Sequence, residues 1–323
     1  MSRWPVFSLV CVACSAPVAG VPTHRDPSAA RVLDPGCPGS AYATVQDAID
    51  AASAQDVVEV CAGTFAERLV VSGKALVLRS ADGPADTVVD AGGVGRALTV
   101  TTASPVTVEG LTFRNGWSST GAGGNVQCER SNLLLRDNVL EDGEARRGAG
   151  LGASLCTGRL EGNTFRDNRA TDLGGGLYVE GTIDVLDNRF EANASDSDAG
   201  AAFVRDSFAT IRGNTVIANT AEDDGGGLFV RRGAPWVDGN VFEDNVSGEE
   251  GGGMRVKTSQ VTVTDNVFAN NRADWRGGGM KMSHDESVLS GNTWTGNEAG
   301  SKGGAVLPTN STLRRSRSLS GSA

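Results

Sequence analysis

The feature that most constrains this chain is a six-residue motif, Asn-x-(Phe/Val/Trp)-x-x-Asn, that recurs at almost constant intervals. Its leading asparagines are spaced 25, 26, 26, 26 and 26 residues apart. The six copies begin at Asn163, Asn188, Asn214, Asn240, Asn266 and Asn292. A repeat of this length, kept over many units, is the signature of a solenoid in which each unit stacks on its neighbours.

A short glycine-rich corner lies eleven residues after each leading asparagine and is followed by an alternating strand. The corners are Gly174–Gly176, Ala199–Ala201, Gly225–Gly227, Gly251–Gly253, Gly277–Gly279 and Gly303–Ala305. Such a unit, with short strands and no helical period, cannot bury its apolar side alone. We therefore predict an all-β fold, a single-stranded right-handed parallel β-helix (solenoid) over residues 37–323.

Stacking of the units predicts ladders of equivalent side chains about 4.8 Å apart. The internal apolar ladder should contain Phe165, Phe190, Val216, Phe242, Phe268 and Trp294. A column that admits only small side chains should contain Ala170, Ser195, Ala221, Ser247, Ala273 and Ala299. One asparagine per coil should adopt the left-handed region at a corner and hydrogen-bond to the coils above and below.

The N-terminal residues 1–19 are predicted to be a signal peptide, because one basic residue precedes a short apolar run. Cys11–Cys14 resembles a bacterial lipobox, which would leave Cys14 lipidated; cleavage near Ala16 is the alternative. Residues 20–36 are rich in proline and read as a tether. A capping helix is expected near residues 44–54, where Thr44 and Asp47 form a capping box and an apolar face follows.

Two stretches resemble known families. Residues 43–49, 58–60 and 63–67 resemble the opening of pectin-lyase-like β-helix proteins. The units GGGL-x-V followed by N-x-F-x-x-N are similar to the repeats of chlamydial polymorphic outer membrane proteins. Both resemblances imply the β-helix, but the superfamily spans lyases, hydrolases, esterases and non-catalytic adhesins, so they do not imply one activity. The last unit, residues 317–322, matches the motif only weakly. It is expected either to cover the end of the last coil or to indicate a truncated product.

Four cysteines follow the predicted signal peptide and tether. Cys37 precedes the predicted helix and Cys61 ends the first strand, so a Cys37–Cys61 bridge would fasten the helix to the stack. Cys128 and Cys156 each lie four residues after a glycine and should stack in adjacent coils, within reach of a disulfide. Two bridges predict an oxidising compartment, and four buried thiols are the alternative.

The outward positions of the strands after the glycine corners form the candidate binding surface. If Leu177 and Val179 point inward, alternation points their neighbours outward. The predicted ligand-binding residues are Tyr178, Phe203, Arg205, Phe229, Arg231, Arg255, Lys257 and Lys281. Aromatic faces beside cations are a common arrangement for binding acidic glycans, so this face is predicted to bind an anionic polysaccharide.

An acidic column lies in the loop before each glycine corner. Its members are Asp172, Asp198, Asp223, Asp224, Glu249, Glu250 and Asp274. Carboxylate oxygens suit calcium, which makes these residues calcium candidates. The alternative is a solvated edge that pairs with the neighbouring cations.

The sequence favours binding over catalysis. The carboxylate and basic sets that glycan-cleaving β-helices would need are not recognisable, and His284 and Asp285 point to opposite faces of a strand. A net charge of −10 argues against a nucleic-acid partner. We therefore expect a monomeric, secreted or lipid-anchored surface protein that binds polysaccharide as an adhesin. The alternatives are a polysaccharide lyase or hydrolase and a structural envelope spacer.

Overall fold

The computed structural model describes residues 32–284, 286–309 and 311–315. The predicted signal peptide, Cys14, most of the tether and the degraded last unit therefore lie outside the described residues. Within them the chain winds into a parallel β-solenoid of about nine turns, as the repeat predicts. The strands form four rows, and every strand pairs in parallel with its equivalents in the neighbouring coils.

The first row follows the glycine corners, and the second row continues from it. Strands of the first row are Leu69–Ser72, Leu98–Thr101, Val126–Glu129, Leu151–Glu161, Leu177–Leu186, Ala202–Ser207, Leu228–Gly233, Met254–Lys257, Met280–Ser283 and Val306–Thr309. Those of the second row are Val32–Leu33, Val57–Val60, Leu76–Ser80, Val106–Glu109, Asn132–Arg136, Thr210–Arg212, Trp236–Asp238, Thr262–Thr264, Glu286–Ser290 and Thr312–Arg315. Two long strands, Leu151–Glu161 and Leu177–Leu186, contribute to both rows and join them into one sheet.

The third and fourth rows complete each coil. Strands of the third row are Gly63–Phe65, Thr87–Asp90, Thr112–Arg114, Val139–Glu141, Thr164–Arg166, Arg189–Glu191, Thr215–Ile217, Val241–Glu243, Val267–Ala269 and Thr293–Thr295. Those of the fourth row are Trp117–Ala122, Glu144–Arg147, Arg169–Leu173, Ala194–Ser195, Thr220–Ala221, Val246–Ser247, Arg272–Ala273 and Glu298–Ala299. The predicted small-residue column lies in this last row and is buried from Ala170 to Ala273.

The predicted apolar ladder fills the interior. Phe165 and Phe190 stack with ring centroids 4.6 Å apart, and Phe268 stacks on Trp294 at 4.2 Å. Val216 takes the same register position between Phe190 and Phe242, so the aromatic stack is interrupted there. Because the strand period places the aromatic residue of every motif on one face, this ladder is the central part of the hydrophobic core.

Each coil from Asn163 to Asn271 carries two buried asparagines rather than the predicted one, and neither asparagine is itself left-handed. In the first ladder Asn188 donates its amide to Asn214 at 3.1 Å, and in the second Asn193 donates to Asn219 at 3.0 Å. The left-handed residue is the one that precedes each asparagine, for example Asp187 with φ 55°. That residue turns the corner and the following amide then points inward, which explains why both asparagines of the motif recur.

The helix, Val45–Ala51, closes the first coil as predicted. Thr44 Oγ1 accepts a hydrogen bond from the Asp47 amide at 3.0 Å. The Glu67 carboxylate accepts from the first two helical amides, and Lys74 Nζ donates to the Ala52 carbonyl at 2.8 Å. These contacts fix both helix ends to the stack. No helix in the described ranges has the length and apolar character needed to cross a bilayer.

Val32–Leu33, within the range predicted to be a tether, pair in parallel with the strand Val57–Val60. Both predicted disulfides are present, Cys37–Cys61 and Cys128–Cys156, with Cα atoms 5.1 Å and 6.3 Å apart. The prediction that Cys128 and Cys156 occupy equivalent positions in adjacent coils is wrong.

Cys128 lies opposite Ala153, and Cys156 reaches it from an irregularity in the next strand. That irregularity contains Leu155 in the left-handed region, with φ 55°. Two disulfides are typical of a protein that works outside the reducing cytosol.

Candidate functional site

The strand after each glycine corner carries a column of side chains that point out of the solenoid core but are buried. We call Tyr178, Phe203, Phe229, Arg255 and Lys281 the covered ladder; strand register aligns them on consecutive coils. All five are almost fully buried. Their predicted outward direction is right, because the three rings form a cluster separate from the core, but their predicted exposure is wrong.

A second column folds over the covered ladder and shields it from solvent. We call this the lid column; its members are Leu173, Asp198, Asp224, Glu250 and Arg276, the residues that directly precede the glycine-rich corners. The chain can fold back here because the first residue of the corner is left-handed, as in Gly225 with φ 73°. A β-carbon at Gly225 would lie only 3.1 Å from that of Phe229, so the corner lies directly against the covered ladder.

The aromatic part of the covered ladder is an internal stack. Tyr178 and Phe203 stack with centroids 5.9 Å apart, and Phe229 tilts against Phe203 at 5.0 Å. Cations close the stack at both ends, with Arg147 over Tyr178 and Arg255 over Phe229. The rings are thus occupied by each other and by arginines, and present no open face for a sugar to stack on.

The cations of the covered ladder are also occupied. The Arg255 guanidinium is only 4% exposed and lies 3.2 Å from Asp224 and 3.1 Å from Glu250. It also donates to Ser283 Oγ at 2.8 Å. Lys281 Nζ donates to the Met282 carbonyl at 3.0 Å. Burying an unpaired charge is costly, so these ion pairs and hydrogen bonds explain how the buried positions of Arg255 and Lys281 can hold cations.

Asp198 is the lid carboxyl without a cation in direct contact, and its pKa is raised to about 6. The main cause is burial; the Asp224 carboxylate of the next coil adds to the rise. The Asp224 amide donates to Asp198 Oδ1 at 3.3 Å, and both this hydrogen bond and the charge of Lys257 oppose the shift. The exposed Asp223 adds a further repulsion.

We expect Asp198→Asn to stabilise the protein above neutral pH. Since the folded-state pKa exceeds the ordinary value of 3.8, ionisation between pH 4 and 6 weakens the folded state, and the cost persists at higher pH. Asparagine resembles the neutral acid and keeps the acceptor for the Asp224 amide. The free energy of unfolding in urea should rise by roughly 1–3 kcal/mol at pH 8 and be unchanged near pH 4. The exposed Asp244→Asn is the control, and an equal gain at both pH values would refute this account.

The remaining acidic candidates do not assemble into a calcium site. Asp172 lies 3.1 Å from both Arg146 and Arg147, and Asp274 lies 2.7 Å from Arg272. Asp223 and Glu249 are exposed. In the described part of the chain, no group of three or more histidine, cysteine or acidic residues is arranged to hold a metal ion. In this structure Asp172, Asp224, Glu250 and Asp274 form ion pairs with arginines, whereas Asp198, Asp223 and Glu249 form none with the described residues.

Three predicted site residues do reach solvent. Arg205, Arg231 and Lys257 are directly paired on consecutive coils and form what we call the cationic column. Arg205 is half-buried and contacts Asp206 at 3.2 Å, whereas Arg231 and Lys257 are exposed. Neither of these two forms an ion pair with any described residue. The coil spacing of about 4.8 Å places the three charges in a line on the sheet surface.

Two exposed aromatic side chains that follow this column closely in the chain are not predicted from the sequence. Phe208 is 73% exposed and Trp236 is 43% exposed. Phe208 lies between a first-row and a second-row strand, three residues after Arg205, and Trp236 begins a second-row strand five residues after Arg231. The chain reaches them through left-handed residues, Asp206 and Arg232, and a glycine follows only the second of these, at Gly233. For Phe208 the signal in the sequence was a large apolar residue directly after the end of the strand Ala202–Ser207.

Comparison with known proteins supports the fold. The family model described as right handed beta helix region matches residues 91–245 and 194–315. A search of curated proteins finds no significant match.

Similar solved structures include the alginate lyase AlyGC, 15% identical over 88% of this chain and 39% of that one, with a TM-score of 0.36. A pectin methylesterase from Aspergillus niger is 15% identical over 91% of this chain and 87% of that one, with a TM-score of 0.33. PfbA, a surface adhesin of Streptococcus pneumoniae, is 12% identical over 80% and 86%, also with a TM-score of 0.33. The chain spans only 39% of the lyase's length. The family match, which covers most of the described residues, shows that the chain belongs to the right-handed β-helix family.

Proposed function

We propose that this protein is an exported, monomeric adhesin that binds anionic polysaccharide through the cationic column. The observation that carries the proposal is the alignment of Arg205, Arg231 and Lys257 on three consecutive coils. In a protein of net charge −10, a line of three cations, two of them exposed and without an ion pair, is a local exception. An acidic glycan repeats its charge along an extended chain, so a solenoid with one cation per coil can meet several carboxylates at once.

Phe208 and Trp236 support the proposal because they are exposed rings only three and five residues after Arg205 and Arg231. Trp236 donates its indole N–H to Thr264 Oγ1 at 2.9 Å, which holds the ring in one orientation. An ordered, exposed ring loses little conformational freedom on binding a sugar face. These two rings take the role that the sequence analysis gave to the buried rings of the covered ladder.

Export belongs to the same proposal. Residues 1–19 would direct the chain out of the cytosol, and the two disulfides would then form in an oxidising compartment. Lipidation of Cys14 would hold the solenoid at the cell surface on the linking residues 20–31. The mass of the mature protein distinguishes a lipid-anchored N terminus at Cys14 from cleavage near Ala16.

We expect the purified protein to be retained on immobilised polygalacturonate and not on uncharged dextran. Replacing Arg231 and Lys257 together by alanine should lower the affinity at least tenfold, because both charges are exposed and unpaired. Added salt should weaken binding of the unmodified protein more than that of the double variant.

The matched control is Arg166→Ala together with Arg272→Ala, which removes the same charge from two exposed residues of the third and fourth rows. Equal loss in the control and in the Arg231/Lys257 variant would reject the cationic column as the site. The same samples, with and without calcium, should release no new reducing or unsaturated ends. Cleavage of the polysaccharide would show that the protein is a lyase or hydrolase rather than an adhesin. If the protein is not retained on polygalacturonate, a structural envelope spacer becomes the best account.

A further inference from the structure

A separate open cleft of about 640 Å³ lies at the corner between the third and fourth rows, near the N-terminal coils. Its walls carry Trp117, Asn115, Asp90, Asp142 and Glu144. Trp117 is 44% exposed and begins the first strand of the fourth row, so no described strand of that row lies beside it on the N-terminal side. The chain at Gly95 lies on that side instead, since the Trp117 amide donates to the Gly95 carbonyl at 2.8 Å.

The cleft combines a ring with carboxylates in a fixed register. Trp117 and Glu144 are direct partners in adjacent strands, so their side chains leave the same face one coil apart. Asn115 and Asp142 occupy equivalent left-handed corner positions two residues earlier, with φ 54° and 52°. Backbone from Gly92 and Gly93 contributes to the wall without any side chain.

The charges of the cleft are unbalanced. Asp90 is neutralised, because Arg114 Nε donates to it at 2.8 Å and Asn115 Nδ2 at 2.9 Å. Asp142 and Glu144 are exposed, and neither has an ion-pair partner among the described residues. Burial and the neighbouring Glu141 and Asp167 carboxylates raise the pKa of Asp142, against the opposing charges of Arg166 and Arg114. The cleft therefore repels the acidic glycans proposed for the cationic column.

We propose that this cleft binds a cationic amino sugar, such as a glucosamine unit of a polysaccharide. The pyranose ring would stack on Trp117, and its ammonium would lie between Asp142 and Glu144. Asn115 and the glycine backbone offer hydrogen-bond partners for hydroxyl groups. This site is independent of the cationic column and would make the solenoid bivalent for two glycans of opposite charge.

The test is isothermal titration with a glucosamine hexamer, its fully N-acetylated counterpart and a lysine hexapeptide. The two sugars share ring shape and differ in charge, so preference for the free amine isolates the carboxylates. We expect the glucosamine hexamer to bind at least tenfold more tightly than either comparator. Trp117→Ala and Glu144→Gln should each weaken this binding at least tenfold.

Matched controls are Trp275→Ala and Glu222→Gln, which change an exposed tryptophan and an exposed glutamate elsewhere. Thermal unfolding of each variant separates loss of binding from loss of fold. The proposal would be overturned if the two sugar hexamers bound with equal affinity or if the lysine hexapeptide bound as tightly as the glucosamine hexamer. It would also be overturned if the control substitutions lowered the affinity as much as Trp117→Ala and Glu144→Gln. None of these outcomes depends on retention by polygalacturonate, so the two binding proposals can fail separately.

Discussion

Replacing Asn219 by leucine is expected to lower the free energy of unfolding by about 3–5 kcal/mol. The Asn219 amide donates to the carbonyls of Phe190 and Ile217 and to Asn245 Oδ1, each at 3.0 Å. Its own oxygen accepts from the backbone and side-chain amides of Asn193. Leucine has a similar volume but leaves these buried groups without their partner, and each unpaired group costs about 1–3 kcal/mol.

The control for this substitution is Asn132→Leu. Asn132 is half-buried and makes one side-chain hydrogen bond, to Thr157 Oγ1 at 3.0 Å near the surface. Water can replace that bond, so the cost should stay below about 1 kcal/mol. Urea unfolding of both variants measures the difference. Similar small losses for the two would contradict a structural role for the asparagine ladders.

The second large effect is expected for Gly226→Ala, the middle glycine of its corner. A β-carbon at Gly226 would lie 2.4 Å from the Val246 carbonyl and 2.6 Å from that of Gly252. Both atoms are backbone of the next coil, so they cannot move without separating the coils. Because the φ of Gly226 is not left-handed, the cost arises from overpacking alone. We expect a loss of at least about 3 kcal/mol, at or above the upper range for overpacked cores.

Gly239→Ala provides the comparison, since Gly239 has φ 60° and nothing within 4 Å of the added carbon. The left-handed backbone alone should cost about 1–2 kcal/mol there. Thermal and urea unfolding should therefore rank Gly226→Ala as the more damaging of the two. The reverse order would show that the coils can separate at the corner without penalty.

Sequence periodicity was sufficient to predict the coil and the aromatic interior. Both disulfide pairings were also predicted, but the register of Cys128–Cys156 was not. Strand alternation tells which side of the sheet a residue faces, and this is why Arg231 and Lys257 were placed correctly on the outside. Alternation cannot tell what folds over that side. Arg255 faces out of the core, yet the reversal at the glycine corner brings Asp224 and Glu250 over it.

Other features depend on backbone conformation that these residue types do not reveal. The second asparagine ladder exists because residues such as Ala192 and Ala218 adopt the left-handed region, where alanine is uncommon. Phe208 and Trp236 become exposed through similar turns at Asp206 and Arg232. The cleft around Trp117 depends on where the fourth row begins, before the glycine corners become regular.

The most direct test of the binding account is a titration of oligogalacturonates of increasing length against the unmodified protein and the Arg231/Lys257 alanine variant. Arg205 and Lys257 are two coils apart, about 10 Å at the usual strand spacing. Affinity should therefore rise with each added uronate until the ligand spans the three cations, and then level off. The variant should bind all lengths weakly and show no such rise. Equal affinities for all lengths, or an unchanged length dependence in the variant, would contradict a polysaccharide site on the cationic column.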